Sequence, residues 1–289
     1  MLRFVHILFP VDFSDECAGI VPVVESWAAH FDARVTLLNV LEMPAAYYSD
    51  SSAFVSAVDI ESLLETRKCR LESFAPGSFR NPNDQRIVAQ GLAASTIVDL
   101  AGREGVDLMM MPTRGYGRFR RFLLGSVTAK LLHDCPCPVW TGIHAEQPST
   151  ARSPAHCRRI LCAVDLGPES ATVIKWAKDL ADSFGATLRL VHAVAGWPES
   201  ARRSNGDRFR AFIFDFAREQ IGKLQQQAGT NAELVLHGGE VARAVSRAGA
   251  DWNADLLVIG RGVLQARLGR LRTHEYTIIR ESSCPVISV

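Results

Sequence analysis

Short apolar runs alternate with longer amphipathic segments along almost the whole chain. The runs predict strands at residues 5–11, 35–41, 86–89, 108–111 and 139–141 in the first half, and at residues 160–164, 187–193, 233–236, 256–259 and 286–289 in the second. Strands that are apolar throughout and alternate with helices are typical of a parallel sheet covered on both faces. Because crossovers between parallel strands are right-handed, each half is expected to be a doubly wound α/β domain. Its ligand crevice is expected at the carboxyl ends of the strands.

The two halves are copies of one unit. Residues 6–14 are His-Ile-Leu-Phe-Pro-Val-Asp-Phe-Ser, and residues 159–167 are Arg-Ile-Leu-Cys-Ala-Val-Asp-Leu-Gly. Asp12 therefore corresponds to Asp165. Each half also closes on the tripeptide Cys-Pro-Val, so the repeat covers the whole length of the unit.

A stretch rich in Pro, Ser, Thr, Ala and His separates the two copies and is typical of a linker. We predict a first domain over residues 1–142, a linker over 143–157 and a second domain over 158–289.

The loop after the fourth apolar run has the composition of a phosphate cradle. It leads from Met111 through Arg114 and Gly115 to Gly125, and a short helix is predicted over residues 127–133. Glycines let the backbone approach an anion closely, and the N–H groups and dipole of a helix N-terminus favour negative charge. The alternative is an ordinary strand-to-helix loop that contains glycines.

Composition limits the partners of this chain. Hydrophobic residues make up 47% of the chain, which is sufficient for a sizeable core. The formal net charge of +1 argues against nucleic acid bound through bulk charge. No apolar run is long enough to span a bilayer, so no membrane partner is expected. The N-terminal apolar stretch is short, ends in Pro-Val-Asp and lacks a small-residue cleavage site, so we interpret it as the first strand of a cytoplasmic protein.

The seven cysteines match no disulfide framework. Cys135 and Cys137, with His133 nearby, could form half of a zinc site. A zinc site normally draws four ligands from two such pairs, and the sequence has no second pair. We therefore predict no metal site and free thiols beside a strand.

With these motifs in place, the chain resembles a tandem universal stress protein over essentially its whole length. The resemblance rests on Pro-Val-Asp-Phe-Ser near the start, on the loop leading into Gly125-Ser126-Val127, and on the Cys-Pro-Val that closes each half. It implies two tandem five-stranded parallel-sheet domains of the adenine nucleotide alpha hydrolase-like kind, related by a pseudo-two-fold axis. It also implies an ATP site, with or without Mg²⁺, and a role in the stress response.

The resemblance assigns roles to residues of the first half. Asp12 would meet the adenine or ribose, and the backbone of Pro10 and Val40 would flank the base. The phosphates would lie against the loop and the start of the helix. The predicted cofactor-binding residues are Pro10, Asp12, Val40, Met111, Pro112, Arg114, Gly115, Gly125, Ser126 and Val127.

Both halves depart from the family's loop of Gly, two residues, Gly, nine residues and Gly-Ser or Gly-Thr. In the first half, Pro112 replaces the first glycine, which removes one backbone donor and puts a ring near the ribose. In the second half, Gly260 keeps the first glycine, but the loop is about one residue short and Arg272-Thr273 replaces the Gly-Ser. We therefore expect the first-half site to be better preserved than the second, which is interpreted as degenerate.

Three functions compete. The first is a nucleotide-binding regulatory module, and the second is a stress protein that acts only through protein–protein interaction. The third, an enzyme of a related α/β superfamily, is the weakest, because the sequence has no nucleophile elbow and no P-loop. No catalytic residue is predicted, and slow ATP hydrolysis is the most that is expected.

The closing strand of each half bears on oligomeric state. By resemblance, residues 139–141 and 286–289 would pair within one chain and form an intramolecular pseudo-dimer. A homodimer of whole chains is then optional, and protein partners are not identified.

Overall fold

A computed structural model describes residues 2–43, 57–113, 124–143, 157–194, 206–261 and 272–289. Two compact units make up the chain, one centred on residues 4–140 and the other on residues 141–289. Strands and helices alternate strictly through each of them. Arg114 and Gly115, the linker core and most of the second-half loop lie outside the described residues.

The first half contributes five strands and four helices. The strands are β1 (His6–Pro10), β2 (Arg34–Leu41), β3 (Gln85–Gln90), β4 (Leu108–Met111) and β5 (Val139–Thr141). The helices are α1 (Asp15–Phe31), α2 (Ala57–Glu72), α3 (Ala93–Arg103) and α4 (Ser126–Asp134). The strand order is β3-β2-β1-β4-β5, and β1 pairs in parallel with both β2 and β4.

The second half repeats this arrangement. Its strands are β6 (Arg159–Ala163), β7 (Thr187–Val194), β8 (Glu233–Gly238), β9 (Leu256–Ile259) and β10 (Val286–Ser288). Its helices are α5 (Ser170–Phe184), α6 (Gly206–Ala228), α7 (Val241–Trp252) and α8 (Arg272–Glu281). The order β8-β7-β6-β9-β10 matches that of the first half. The predicted tandem α/β fold with parallel strands is therefore confirmed, and every predicted strand is found within two residues of its expected bounds.

Burial explains why the central strands are the most apolar. All residues of β1, β4 and β9 are buried, because helices cover both faces there. β3 and β8 are the edge strands of their halves. They are only half-buried, so they tolerate polar residues. In the first half, Phe4, Trp27 and Phe31 pack ring against ring between the start of β1 and α1.

A carboxylate ties the first strand to the fourth in each half, and the sequence motifs did not indicate it. Asp107 Oδ2 accepts hydrogen bonds from the backbone N–H groups of Val5 and His6, at 2.8 and 2.9 Å. Asp255 Oδ2 accepts the equivalent bonds from Arg158 and Arg159, at 3.0 and 2.9 Å. The repeated contact fixes where β1 and β6 begin relative to their neighbours.

His6 is a buried titratable group at the start of β1. It is 3% exposed, its Nε2 lies 2.8 Å from Thr36 Oγ1, and Arg34 Nη2 lies 3.0 Å from its Nδ1. Burial, and then the charge of Arg34, lowers the pKa of His6 below 6.5. The folded protein therefore holds this imidazole neutral.

We expect His6 to make the protein less stable in mild acid. As pH falls from 6.5 towards the folded-state pKa, the unfolded chain binds a proton at His6 that the native protein does not, so the free energy of unfolding decreases. Above pH 6.5 this contribution is fully present. Urea unfolding of the native chain and of His6→Gln at pH 7.5, 6.5 and 5.5 should give a shallower pH dependence for the variant. Equal slopes would show that His6 does not titrate differently on folding.

Candidate functional site

The turn after β1 fixes the carboxylate of Asp12. Phe13 adopts a left-handed backbone conformation (φ 64°), which brings Ser14 back towards the aspartate. The backbone N–H and the hydroxyl of Ser14 both donate to Asp12 Oδ1, at 2.9 and 2.5 Å. Ser14 Oγ also caps α1 by accepting from Cys17 N. Both bonds from Ser14 end on Oδ1 of the carboxylate.

Asn39 supports the same turn from β2. Its Nδ2 donates to the carbonyl of Val11 at 2.7 Å, and the side chain is 3% exposed. Its Oδ1 is buried and has no hydrogen-bond partner in the described part of the chain. Val40 follows at the end of β2, half-buried and paired with Ala89 of β3. The backbone around Val11 and Val40 is therefore held firmly.

Buried residues follow β4, and α4 is the next helix along the chain. Met111, Pro112 and Thr113 are all buried. Gly125 N donates to Thr113 O at 3.3 Å, so the two ends of the intervening loop meet. A Cβ added to Gly125 would lie 3.3 Å from Thr128 Oγ1, whereas its φ of −59° suits any residue. Backbone strain therefore does not require glycine here, and an added Cβ would need Thr128 Oγ1 to move by only a few tenths of an ångström.

The N-terminus of α4 is suited to an anion. Gly125 offers no side-chain cap, and the first turn contains no acidic residue. Ser126 is exposed and Val127 half-buried, so this first turn lies near the surface. The N–H groups of a first helical turn and the helix dipole favour a negatively charged ligand there.

The structure brings most of the predicted residues to one region. β1 lies between β2 and β4, and the carboxyl ends of parallel strands share one edge of a sheet. The carboxyl ends of those three strands carry, in or just after the strand, Pro10 and Asp12, Val40, and Met111 and Pro112. Gly125, Ser126 and Val127 lie where the loop from β4 closes. Arg114 and Gly115 lie outside the described residues, so their part in the site stays a prediction.

Two further residues of this site were missed from the sequence. Ser14 stands directly before the acidic pair Asp15-Glu16, a pattern typical of a helix N-cap, and could have been found on that ground. Asn39 lies in a run that is otherwise apolar except for Thr36. Aligning the two copies would have paired it with His192.

The second half keeps the turn but changes its side chains. Asp165 Oδ1 accepts from the backbone N–H of Gly167 at 2.8 Å and from the hydroxyl of Ser170 at 2.7 Å. Leu166 has the same left-handed conformation as Phe13. His192 Nδ1 lies 2.6 Å from Val164 O, which is the contact that Asn39 makes in the first half. The His192 side chain therefore contacts and supports the backbone directly after β6.

Gly260 follows β9 at the place where Pro112 follows β4. A Cβ at Gly260 would lie 2.8 Å from Val173 Cγ2 of α5, which is closer than real Cβ contacts. Packing against α5 therefore requires a glycine at this position whether or not a ligand binds. The loop beyond Arg261 lies outside the described residues.

Cys135 and Cys137 are both buried and form no disulfide. Their Sγ atoms lie 3.4 Å apart, and the His133 ring contacts the carboxylate of the adjacent Asp134. Within the described ranges, no three side chains of His, Cys, Asp or Glu come together as a metal site would require. Over the same ranges, no helix has both the length and the apolar composition needed to cross a membrane.

Comparisons with known proteins agree with this architecture. A family model described as the Universal stress protein family matches residues 3–141 and again 156–289. A curated relative from Thermus aquaticus, named "Universal stress protein in QAH/OAS sulfhydrylase 3'region", is 31% identical over 136 residues, which is 47% of this chain and 96% of the relative.

Two solved structures show the same fold over nearly the full length. The functionally unknown protein PA1789 from Pseudomonas aeruginosa PAO1 superposes with a TM-score of 0.62 at 18% identity, covering 99% of this chain and 92% of its own. A universal stress protein from Archaeoglobus fulgidus gives a TM-score of 0.60 at 19% identity, and the match covers 98% of this chain and 97% of that protein. At these identities the likeness concerns the fold alone.

Proposed function

This chain belongs to the universal stress protein family, and from that premise we propose that it is an ATP-binding regulatory module of the stress response whose working site lies in the first half. The observation that carries the proposal is that Asp12 follows β1 while the loop from the neighbouring parallel strand β4 closes at the uncapped start of α4. A carboxylate that can accept hydrogen bonds from hydroxyl or amine groups then lies at the same edge of the sheet as a helix N-terminus that can bind an anion.

Each part of a nucleotide has a suitable partner there. Asp12 Oδ2 accepts from the ribose or the adenine, and the backbone beside Pro10 and Val40 borders the base. The N–H groups of Ser126 and Val127 and the Ser126 hydroxyl take the phosphates, as helix N-termini commonly do. Mg²⁺, where present, is held mainly by phosphate oxygens and water, as it is in many nucleotide sites.

Pro112 favours the competing function. It is buried directly after β4 and has no N–H to offer a phosphate. A protein of this family that acts only through protein–protein interaction would keep the fold and the turn at Asp12 without binding ATP. The two functions differ in one measurable property, which is ATP-dependent stabilisation.

We expect Asp12→Asn to weaken ATP binding by about tenfold or more, because a hydrogen bond to a charged acceptor contributes about 1.5–3 kcal/mol. Asparagine retains an oxygen that can accept from Ser14, so the turn should survive. The matched control is Asp165→Asn, which makes the same change in the second half and should leave the affinity unchanged. Calorimetric titration of full-length protein with ATP, with thermal shift as a second measure, distinguishes them.

The outcomes separate the hypotheses. If millimolar ATP produces neither heat nor thermal shift in the native chain, ATP binding fails and the interaction function stands. If Asp165→Asn weakens binding and Asp12→Asn does not, the working site lies in the second half.

A further inference from the structure

The tripeptide Cys135-Pro136-Cys137 joins α4 to β5 and holds two thiols close together. The two Sγ atoms are 3.4 Å apart, and the residues are 5% and 6% exposed. Pro136 between them is exposed, so the pair lies just beneath the surface. Formation of a disulfide requires the sulfurs to approach by only about 1.4 Å, because an S–S bond is about 2.05 Å long.

The backbone keeps the thiols on the same side. Cys135 N donates to Leu131 O at 2.9 Å at the end of α4, and Pro138 O accepts from Met109 N at 2.9 Å at the start of β5. Between these anchors, the ring of Pro136 fixes one of the few free torsions. Little conformational entropy remains to be lost when the two sulfurs join.

The second half has the same turn with one thiol replaced. Ser282 occupies the position of Cys135, and its Oγ lies 3.7 Å from Cys284 Sγ. The hydroxyl also donates to Cys284 O at 2.7 Å, and Cys284 N donates to it at 3.3 Å. The first and third side chains of this turn are therefore close together in both halves, and serine can occupy the first position. Of these two turns, only that of the first copy holds two thiols.

Three other buried cysteines of the chain are held in the protonated thiol form. Burial raises the pKa of the Cys17 and Cys162 thiols to about 12 in each case, and raises that of Cys157 further. Thiolate, the reactive form, is therefore scarce at these three positions. Cys69 is exposed on α2 and serves as an internal reference for an ordinary accessible thiol.

We propose that Cys135 and Cys137 form a reversible intramolecular disulfide when the protein meets hydrogen peroxide. The thiolate of one cysteine attacks a peroxide oxygen and breaks the O–O bond, which gives a sulfenic acid and hydroxide that is protonated to water. The second thiol then attacks the sulfenic sulfur, forms the S–S bond and releases a second water. The two thiols lose two electrons and two protons, and the peroxide is reduced to two waters.

This modification is independent of nucleotide binding and is tested without it. Full-length reduced protein is exposed to hydrogen peroxide for increasing times, quenched with acid, alkylated with a maleimide in denaturant and digested with trypsin. Cleavage after Lys130 and Arg152 places both cysteines, and no other, on one peptide. We expect this peptide to become about 2 Da lighter and to lose both alkylation sites, with recovery by dithiothreitol.

Cys135→Ser is the matched control, because it reproduces the Ser282 turn of the second half. In this variant the peptide should become heavier by about 16 Da per oxygen gained at Cys137 instead of losing hydrogen, since no neighbouring thiol can trap the sulfenic acid. The proposal is overturned if the native peptide still takes two maleimides when Cys69 is already oxidised, or if it gains oxygen as the variant does.

Discussion

Replacing Gly125 with aspartate is expected to remove ATP-dependent stabilisation while leaving the ATP-free protein at least as stable as the native chain. Aspartate is a preferred N-cap residue, and its carboxylate would accept the N–H groups of the first turn of α4 that we assign to phosphate. The same chain shows this arrangement at α7, where Glu240 accepts from Ala242 N and Arg243 N. The added side chain therefore competes directly with the ligand.

The expected magnitudes make the experiment decisive. At an ATP concentration of 100 times Kd, the native chain gains about 2.7 kcal/mol from binding, and Gly125→Asp should lose all of it. Without ATP, the new cap should add about 0.3–1 kcal/mol to the free energy of unfolding. Urea unfolding with and without ATP measures both effects in one series.

Gly125→Ala is the control for steric effects alone. Its Cβ would lie 3.3 Å from Thr128 Oγ1 and 3.7 Å from Thr113 O, and it brings no carboxylate, so most of the ATP effect should remain. If Gly125→Asp binds ATP as tightly as the native chain does, the start of α4 does not hold phosphate and the proposed site is wrong.

The strands and their order of appearance could be predicted from the sequence, because the information is local. Four apolar residues in succession predict β4 at its observed bounds, Leu108–Met111, and the duplicated motif at Asp12 and Asp165 predicts two equivalent units. The outer strand β3 was predicted shorter than observed, because its ends at Gln85 and Gln90 are polar and exposed.

Contacts between distant positions could not be predicted in this way. Asp107 bonds to His6 N across about a hundred residues, and nothing in its own surroundings marks it as different from a surface aspartate. The buried Asn39 likewise depends on the carbonyl of Val11, which lies directly after another strand. A single sequence shows the residue types but not which of them meet.

The same limit explains why the sequence shows only one of the constraints on Gly260. In the loop pattern, Gly260 takes the position of the first glycine. The contact with Val173 gives it a packing role that would hold in a half without any ligand. A motif position can thus be preserved for two physical reasons, and only the three-dimensional contact separates them.

We expect Gly260→Ala to lower the free energy of unfolding by about 1–3 kcal/mol, as overpacking of a close contact does. The added Cβ would lie 2.8 Å from Val173 Cγ2, and a β-branched side chain has little rotamer freedom with which to move away. Gly222→Ala is the matched control. Nothing lies within 4 Å of a Cβ there, so on helix α6 the same substitution should stabilise by about 0.5–1 kcal/mol.

Shortening the opposing side chain should rescue the variant if packing is the cause. Val173→Ala removes the methyl groups that Gly260→Ala meets, so the double variant should be more stable than the sum of the two single effects predicts, by at least about 1 kcal/mol. Urea unfolding of the native chain, both single variants and the double variant completes the cycle. Additive effects would mean that Val173 is not what excludes a side chain at position 260, and the requirement for glycine would then have to come from the loop that follows it.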